Sequence, residues 1–244
     1  MKKLLLFVLI SCSLSAKSAS VDTLKVSSPD GKLMVKVWMS DHLNYSVQLR
    51  NSTITGNSVI DLLPIGQKAL SDQNRMVSHK LNQVKSQIVV PVPERRKVIT
   101  DNYNELVIKF KQPYEVKFRI YDEGMAYRIS TLFKDSLYIK NEVARFSFLN
   151  NPTVYFPQIH KKSNADIFHT SFEELYPLLT MSSIPDSAIA FSPVLVVPSR
   201  NPKIAITESD LRDYPGMFLN VRGVGGIEFD VLPFTSVGSQ ALPK

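Results

Sequence analysis

One cysteine and one tryptophan stand among 244 residues, with only 9 glycines. A single cysteine cannot close an internal disulfide, and zinc ribbons or cysteine-ligated clusters need several. None of the four histidines, His42, His79, His160 and His169, stands in an HxH or HExxH spacing, so no self-contained zinc centre is indicated. A G-x-S-x-G elbow is missing, and with it support for a Ser-His-Asp hydrolase; a glycine-rich phosphate loop is missing too. No stretch of ten or more residues reads as an amphipathic helix, and there is no internal repeat or low-complexity segment. What remains is an ordinary globular composition, 44% hydrophobic and 21% charged, which excludes disorder, collagen-like repeats and coiled coils.

The N-terminus reads as an export signal. Lys2 and Lys3 precede the apolar run Leu4 to Ile10, and small and polar residues follow to Ser20. A basic region, a short apolar region and a small-residue region in that order make a secretory leader. The run is too short to span a bilayer as a helix. Ala16-Lys17-Ser18 places small residues suitably for cleavage before Ala19, giving a leader at 1–18 and one β-domain over 19–244. Leu9-Ile10-Ser11-Cys12 also resembles a lipobox, which would make Cys12 a lipid attachment point. The expected location is the periplasm, with anchoring through Cys12 left open.

From Val21 onward the pattern has period two. Leu33, Val35, Val37 and Met39 share one face, and Tyr45, Val47 and Leu49 share another. Leu106, Ile108 and Phe110 alternate with Lys109 and Lys111; Val116, Phe118 and Ile120 alternate with Lys117 and Arg119. Met125, Tyr127 and Ile129 continue after the turn Tyr121-Asp122-Glu123-Gly124. Such strands are half-buried and antiparallel, and many of them separated by Asn, Asp, Pro and Gly turns make a β-sandwich or barrel. Seven prolines between Pro152 and Pro202 predict edge strands and long loops lying over a face in that region.

The formal charge of +7 invites a nucleic-acid or acidic-membrane partner. Removing the leader takes away Lys2, Lys3 and Lys17, which lowers it to about +4. Lys36, Lys109, Lys111, Lys117 and Arg119 are spread over strand faces among Glu115, Asp122 and Glu123, and no basic stripe interleaves with stacking aromatics. Neither a nucleic-acid partner nor a transmembrane span is expected.

One segment stands apart. The apolar strand Ile204 to Ile206 runs into Glu208, Asp210 and Asp213, then Tyr214-Pro215-Gly216, and a second apolar strand follows. Carboxylates at a strand end are one way of holding hard cations such as calcium, and they are also an ordinary way of capping a solvated turn. The alternation of an EF-hand with its central glycine is absent, so no complete calcium loop is present.

Ile206-Thr207-Glu208-Ser209-Asp210-Leu211, continued by Asp213-Tyr214-Pro215-Gly216-Met217, resembles a signature of glycoside hydrolase family 97. Ser28-Pro29-Asp30-Gly31-Lys32, Leu43-Asn44-Tyr45-Ser46-Val47, Tyr103-Asn104-Glu105-Leu106, Phe118 to Arg128 and Asn141-Glu142-Val143 resemble the same family in order. The resemblance covers about 21 to 230. It implies an antiparallel, galactose-mutarotase-like β-super-sandwich with few or no long helices, the first part of exported bacterial α-glucosidases and α-galactosidases of Bacteroidetes. It further implies that the catalytic carboxylates belong to a (β/α)8 barrel, for which the 14 residues after Asp230 leave no room.

The resemblance carries over one functional residue, Glu208, as a calcium ligand beside the barrel's carboxylates. Calcium is then a cofactor of the complete enzyme, bound weakly or not at all here, because one carboxylate supplies one of six to eight oxygens. Asp210, Asp213 and Tyr214 shape the turn and the domain interface, and Ser209 replaces the family's alanine. No catalytic residue is assigned. The expectation is a non-catalytic, truncated accessory domain with two partners: the missing barrel and α-linked glucan or galactoside oligosaccharides. An exposed apolar patch should mark where the barrel docks. The alternative is a free-standing carbohydrate-binding sandwich, which needs an exposed aromatic platform from Trp38, Tyr155, Phe156, Phe168, Phe172 or Tyr176.

Overall fold

A computed structural model describes residues 22–92, 95–162, 166–168, 170–200, 202–211, 214–222, 227–231 and 241–242. The leader at 1–18 with Cys12, His169 and Asp213 lie outside them.

The chain opens with β1 (Thr23–Ser27), β2 (Leu33–Met39), β3 (Leu43–Leu49), β4 (Ser52–Thr53) and β5 (Ser58–Pro64). These pair antiparallel in the order β1-β2-β3-β5, with the short β4 alongside β3. Next come β6 (Met76–Val89), β7 (Val98–Phe110), β8 (Tyr114–Ile120) and β9 (Met125–Thr131), a meander that forms a second sheet. β10 (Leu137–Phe148) returns to the first sheet beside β5. A small third sheet holds β11 (Thr153–Tyr155), β12 (Leu178–Thr180), β14 (Val194–Val197) and β15 (Ile204–Ile206). Meanwhile β13 (Ile189–Phe191), β16 (Phe218–Arg222) and β17 (Ile227–Val231) extend the first sheet beyond β10, and β18 (Ala241–Leu242) pairs with the start of β10. Among the described residues there is one 3-10 turn, Met181–Ser183, and no α-helix. The all-β, antiparallel sandwich expected from the period-two pattern is what forms.

The alternation decides which faces meet. Val35 and Val37 of β2, Tyr45 and Val47 of β3, Leu106 and Ile108 of β7, and Val116 and Phe118 of β8 are all buried in one cluster between the first and second sheets. The opposite face of β8 carries Glu115, Lys117 and Arg119, so one strand supplies both a core and a solvated surface. Burying each large apolar side chain contributes about 1.5–3 kcal/mol, and this cluster is the main stabilising element. Tyr45, Phe118 and Tyr127 meet within it at ring separations of 6.0 to 6.2 Å. The fully buried phenol of Tyr114 donates to the carbonyl of Lys68 at 2.7 Å.

The β1–β2 turn is built by its own residues. Gly31 takes φ +74°, a left-handed conformation that costs a side chain strain. Ser28 Oγ donates to Asp30 and accepts the N–H of Leu33 at 3.0 Å. The Lys32 ammonium beside it holds the Asp30 carboxyl well below the usual range. Asp122, in the β8–β9 turn, accepts the Asp30 N–H at 2.9 Å and so ties the first sheet to the second.

Two regions depart from the sequence reading. Residues 150–203 are not merely loops and edges over a face: with β15 they form a sheet, and Val154, Phe156, Met181, Val194 and Val196 join Ile206 and Leu219 in a second core. The prolines still obey the missing N–H, since Pro152, Pro177, Pro193, Pro198 and Pro202 flank strands rather than interrupt them. β6, which shows no apolar alternation, is nevertheless a strand of 14 residues, because all of it pairs with β7 while most of it faces solvent.

Candidate functional site

Residues 207–217 leave β15 at the edge of the small sheet and enter β16 in the first sheet. This connection switches sheets, and its described residues outside the strands are held in part by side-chain hydrogen bonds. Glu208 turns back on its own loop: Oε1 accepts the backbone N–H of Met217 at 2.6 Å and the Ser192 hydroxyl at 3.4 Å. Gly216 lies beside this carboxylate, where a Cβ would stand 3.4 Å from Oε1, an ordinary van der Waals contact. Among the described residues, the hydrogen bonds to the Glu208 carboxylate fall on Oε1, which leaves Oε2 as a half-buried hard donor.

The rest of the turn is tied to the other sheets. Tyr214 donates its hydroxyl to Oε2 of Glu142, on β10, at 2.6 Å. Asp210, at φ 60°, pairs with Arg128 of β9. Burial pushes the Glu142 carboxyl up, the Tyr214 hydrogen bond opposes that, and the charge of Glu208 adds to it. Burial also raises the Tyr214 phenol, with the Glu142 charge reinforcing it, and it raises Tyr127 behind them. Glu142 sits just past an irregularity between Ile139 and Asn141, where β10 shifts register against β5. Bulges of this kind re-aim side chains.

Beside Glu208 lies a group of rings. Phe172 meets Phe191 at 5.6 Å and Phe218 at 5.7 Å, Phe168 meets Phe218 at 5.0 Å, and Tyr176 meets Phe191 at 5.9 Å. Ser192 and Met217, which hold Glu208, are the chain neighbours of Phe191 and Phe218. Leu175 is 87% exposed and Leu178 50% exposed at the margin of this group. Phe156, by contrast, belongs wholly to the core, and Trp38 is half-buried on β2.

These features decide how calcium would fit. Among the described residues no three of His, Cys, Asp and Glu gather as a metal site. Calcium takes six to eight oxygens, so the donor set here fits one ligand of a site completed by other groups and does not form a site alone.

The N-terminal domain model of glycosyl hydrolase 97 matches residues 26–239, most of the chain. The chain belongs to this family. A retaining α-galactosidase of Bacteroides thetaiotaomicron is 29% identical over 224 residues, which is 90% of this chain and 33% of that protein. A family 97 enzyme of Pseudoalteromonas sp. strain K8, solved with acarbose, superposes with a TM-score of 0.73 at 21% identity, over 89% of this chain and 34% of that one. A β-arabinopyranosidase gives a TM-score of 0.76 at 20% identity, over 90% and 38%. The chain therefore spans about a third of the length of these relatives.

Within this family 97 N-terminal domain the structure places the residues singled out from sequence as follows. Glu208 and Tyr214 come together at one turn, and Asp210 points to Arg128 on another sheet. Ser209 is exposed. Sequence reasoning assigned no role to Glu142, Arg128 or Ser192, although the first two lie in stretches that carried the resemblance. His160 pairs with Glu174 at 3.3 Å on an exposed loop, and Lys162 stands 3.6 Å from the same carboxylate. The His160 hydrogen bond holds the Glu174 carboxyl below its usual range.

Proposed function

We propose that this chain is the accessory domain of a family 97 α-glycosidase acting on α-linked gluco- or galacto-oligosaccharides. In this reading it packs on a catalytic barrel, lends Glu208 as one calcium ligand, and performs no hydrolysis by itself. The observation that carries the reading is the state of Glu208: among the described residues, one carboxylate oxygen accepts from Met217 and Ser192 while the other has no donor. The adjoining rings, edged by exposed Leu175 and Leu178, supply an apolar surface suited to a partner domain. Glycoside hydrolysis needs two opposed carboxylates across a cleft. Glu142, the carboxylate near Glu208, is instead occupied by Tyr214. Export to the periplasm, by cleavage after residue 18 or through Cys12, belongs to the same proposal.

Calorimetric titration with calcium tests the ligand role. The chain should bind no more tightly than about millimolar, the weak end of protein calcium sites. Glu208→Gln should remove that binding. Micromolar affinity, or affinity unchanged in Glu208→Gln, would contradict the proposal.

A further inference from the structure

We infer that Glu142, acting through Tyr214, is the positioning residue that sets the Glu208 carboxylate; the inference rests on the role proposed for Glu208 above. Three side-chain bonds seen in the structure tie the 207–217 connection to the framework, and they are unequal. Arg128 is 62% exposed and Asp210 37%, so that pair is screened by water and contributes little. The Ser192 hydroxyl is 3.4 Å from Glu208, near the limit of a hydrogen bond. Tyr214 reaches Glu142 at 2.6 Å where both side chains are half-buried, and an O–H donated to a carboxylate is the stronger kind of bond.

The geometry then runs in one line. Glu142 is fixed because β10 is an interior strand, with residue 142 in register with Leu62 of β5. Its Oε2 holds the Tyr214 hydroxyl, and Tyr214 lies three residues before Met217, whose N–H holds Oε1 of Glu208 at 2.6 Å. The intervening Pro215 restricts the backbone between the two anchor points. Position 142 thus governs where position 208 sits without touching whatever Glu208 ligates. Without the Tyr214 bond, the Met217 side chain still packs against the second core, and the turn before it loses its bond to β10.

Amide hydrogen exchange by NMR on the chain reads this directly. The Met217 amide should exchange at least about tenfold faster in Tyr214→Phe and in Glu142→Ala, the loss expected when a charge-assisted bond is removed. Glu142→Gln, which keeps an acceptor for Tyr214, should restore the wild-type rate. The amides of Val37 and Phe118 report whether the core is intact. If Glu142→Ala loses that core, Tyr214→Phe, which deletes a single hydroxyl, decides the matter. A Met217 rate unchanged in Tyr214→Phe with an intact core overturns the inference, as does a Glu142→Gln chain as fast as Glu142→Ala. Adding calcium to the wild type separates the two claims: a Met217 resonance that ignores calcium counts against the ligand role of Glu208, while the exchange rates still decide the positioning role.

Discussion

The backbone N–H of Met217 donates to Oε1 of Glu208 across nine residues of chain, at 2.6 Å. That bond converts a surface glutamate into an oriented donor. Gly216 lies beside it, and a Cβ there would stand 3.4 Å from Oε1, an ordinary van der Waals contact. Gly216→Ala should therefore leave the Met217 hydrogen bond in place, seen as an unchanged amide shift with the core amides unchanged; an upfield Met217 amide shift would show the bond lost.

Glu142 gives a pH dependence with a definite sign. Burial raises its folded carboxyl above the unfolded value, so the folded state holds its proton to higher pH. Its contribution is fully present below the unfolded value and is lost as pH rises through the folded one. Glu142→Gln cannot ionise, so its stability relative to wild type should improve between pH 4 and pH 8. Urea midpoints at the two pH values check this; a Glu142→Gln midpoint that falls relative to wild type as pH rises would refute the sign.

Phe118 sits fully buried where the first two sheets meet. Phe118→Ala should cost about 3–5 kcal/mol in urea unfolding, from lost transfer and a residual cavity. Leu81 on β6 is 57% exposed, and Leu81→Ala should stay within about 0.5 kcal/mol.

Gly31 and Gly124 both have open space where a Cβ would go, but only Gly31 holds a positive φ. Gly31→Ala should cost about 1–2 kcal/mol, the strain of the left-handed region. Gly124→Ala should cost less than half of that, measured in the same denaturant series.

The legibility of the fold in the sequence tracks burial on one face. Strands β2, β3, β7, β8 and β9 were readable because Val35, Tyr45, Ile108, Phe118 and Tyr127 recur at period two toward one core. β6 was not, since Val77, Leu81 and Ile88 are exposed and pairing with β7, not burial, makes it a strand. The prolines of 150–203 suggested loops because their effect on a strand end and on a loop is locally the same; the second core comes from Phe156, Met181 and Val196 meeting across separate strands. At the site, Glu208 and Tyr214 were visible as one contiguous segment. Glu142 lies 72 residues before Tyr214, and only the switch of sheets between β15 and β16 brings them into contact.

The most direct test is an assay of the purified chain on nitrophenyl α-glucoside and α-galactoside with calcium present. A domain that lends one ligand and holds no opposed carboxylate pair should give no turnover above the buffer blank. Calcium-dependent turnover by the chain alone, abolished in Glu208→Gln, would show that it carries a complete catalytic site and would contradict the proposed role.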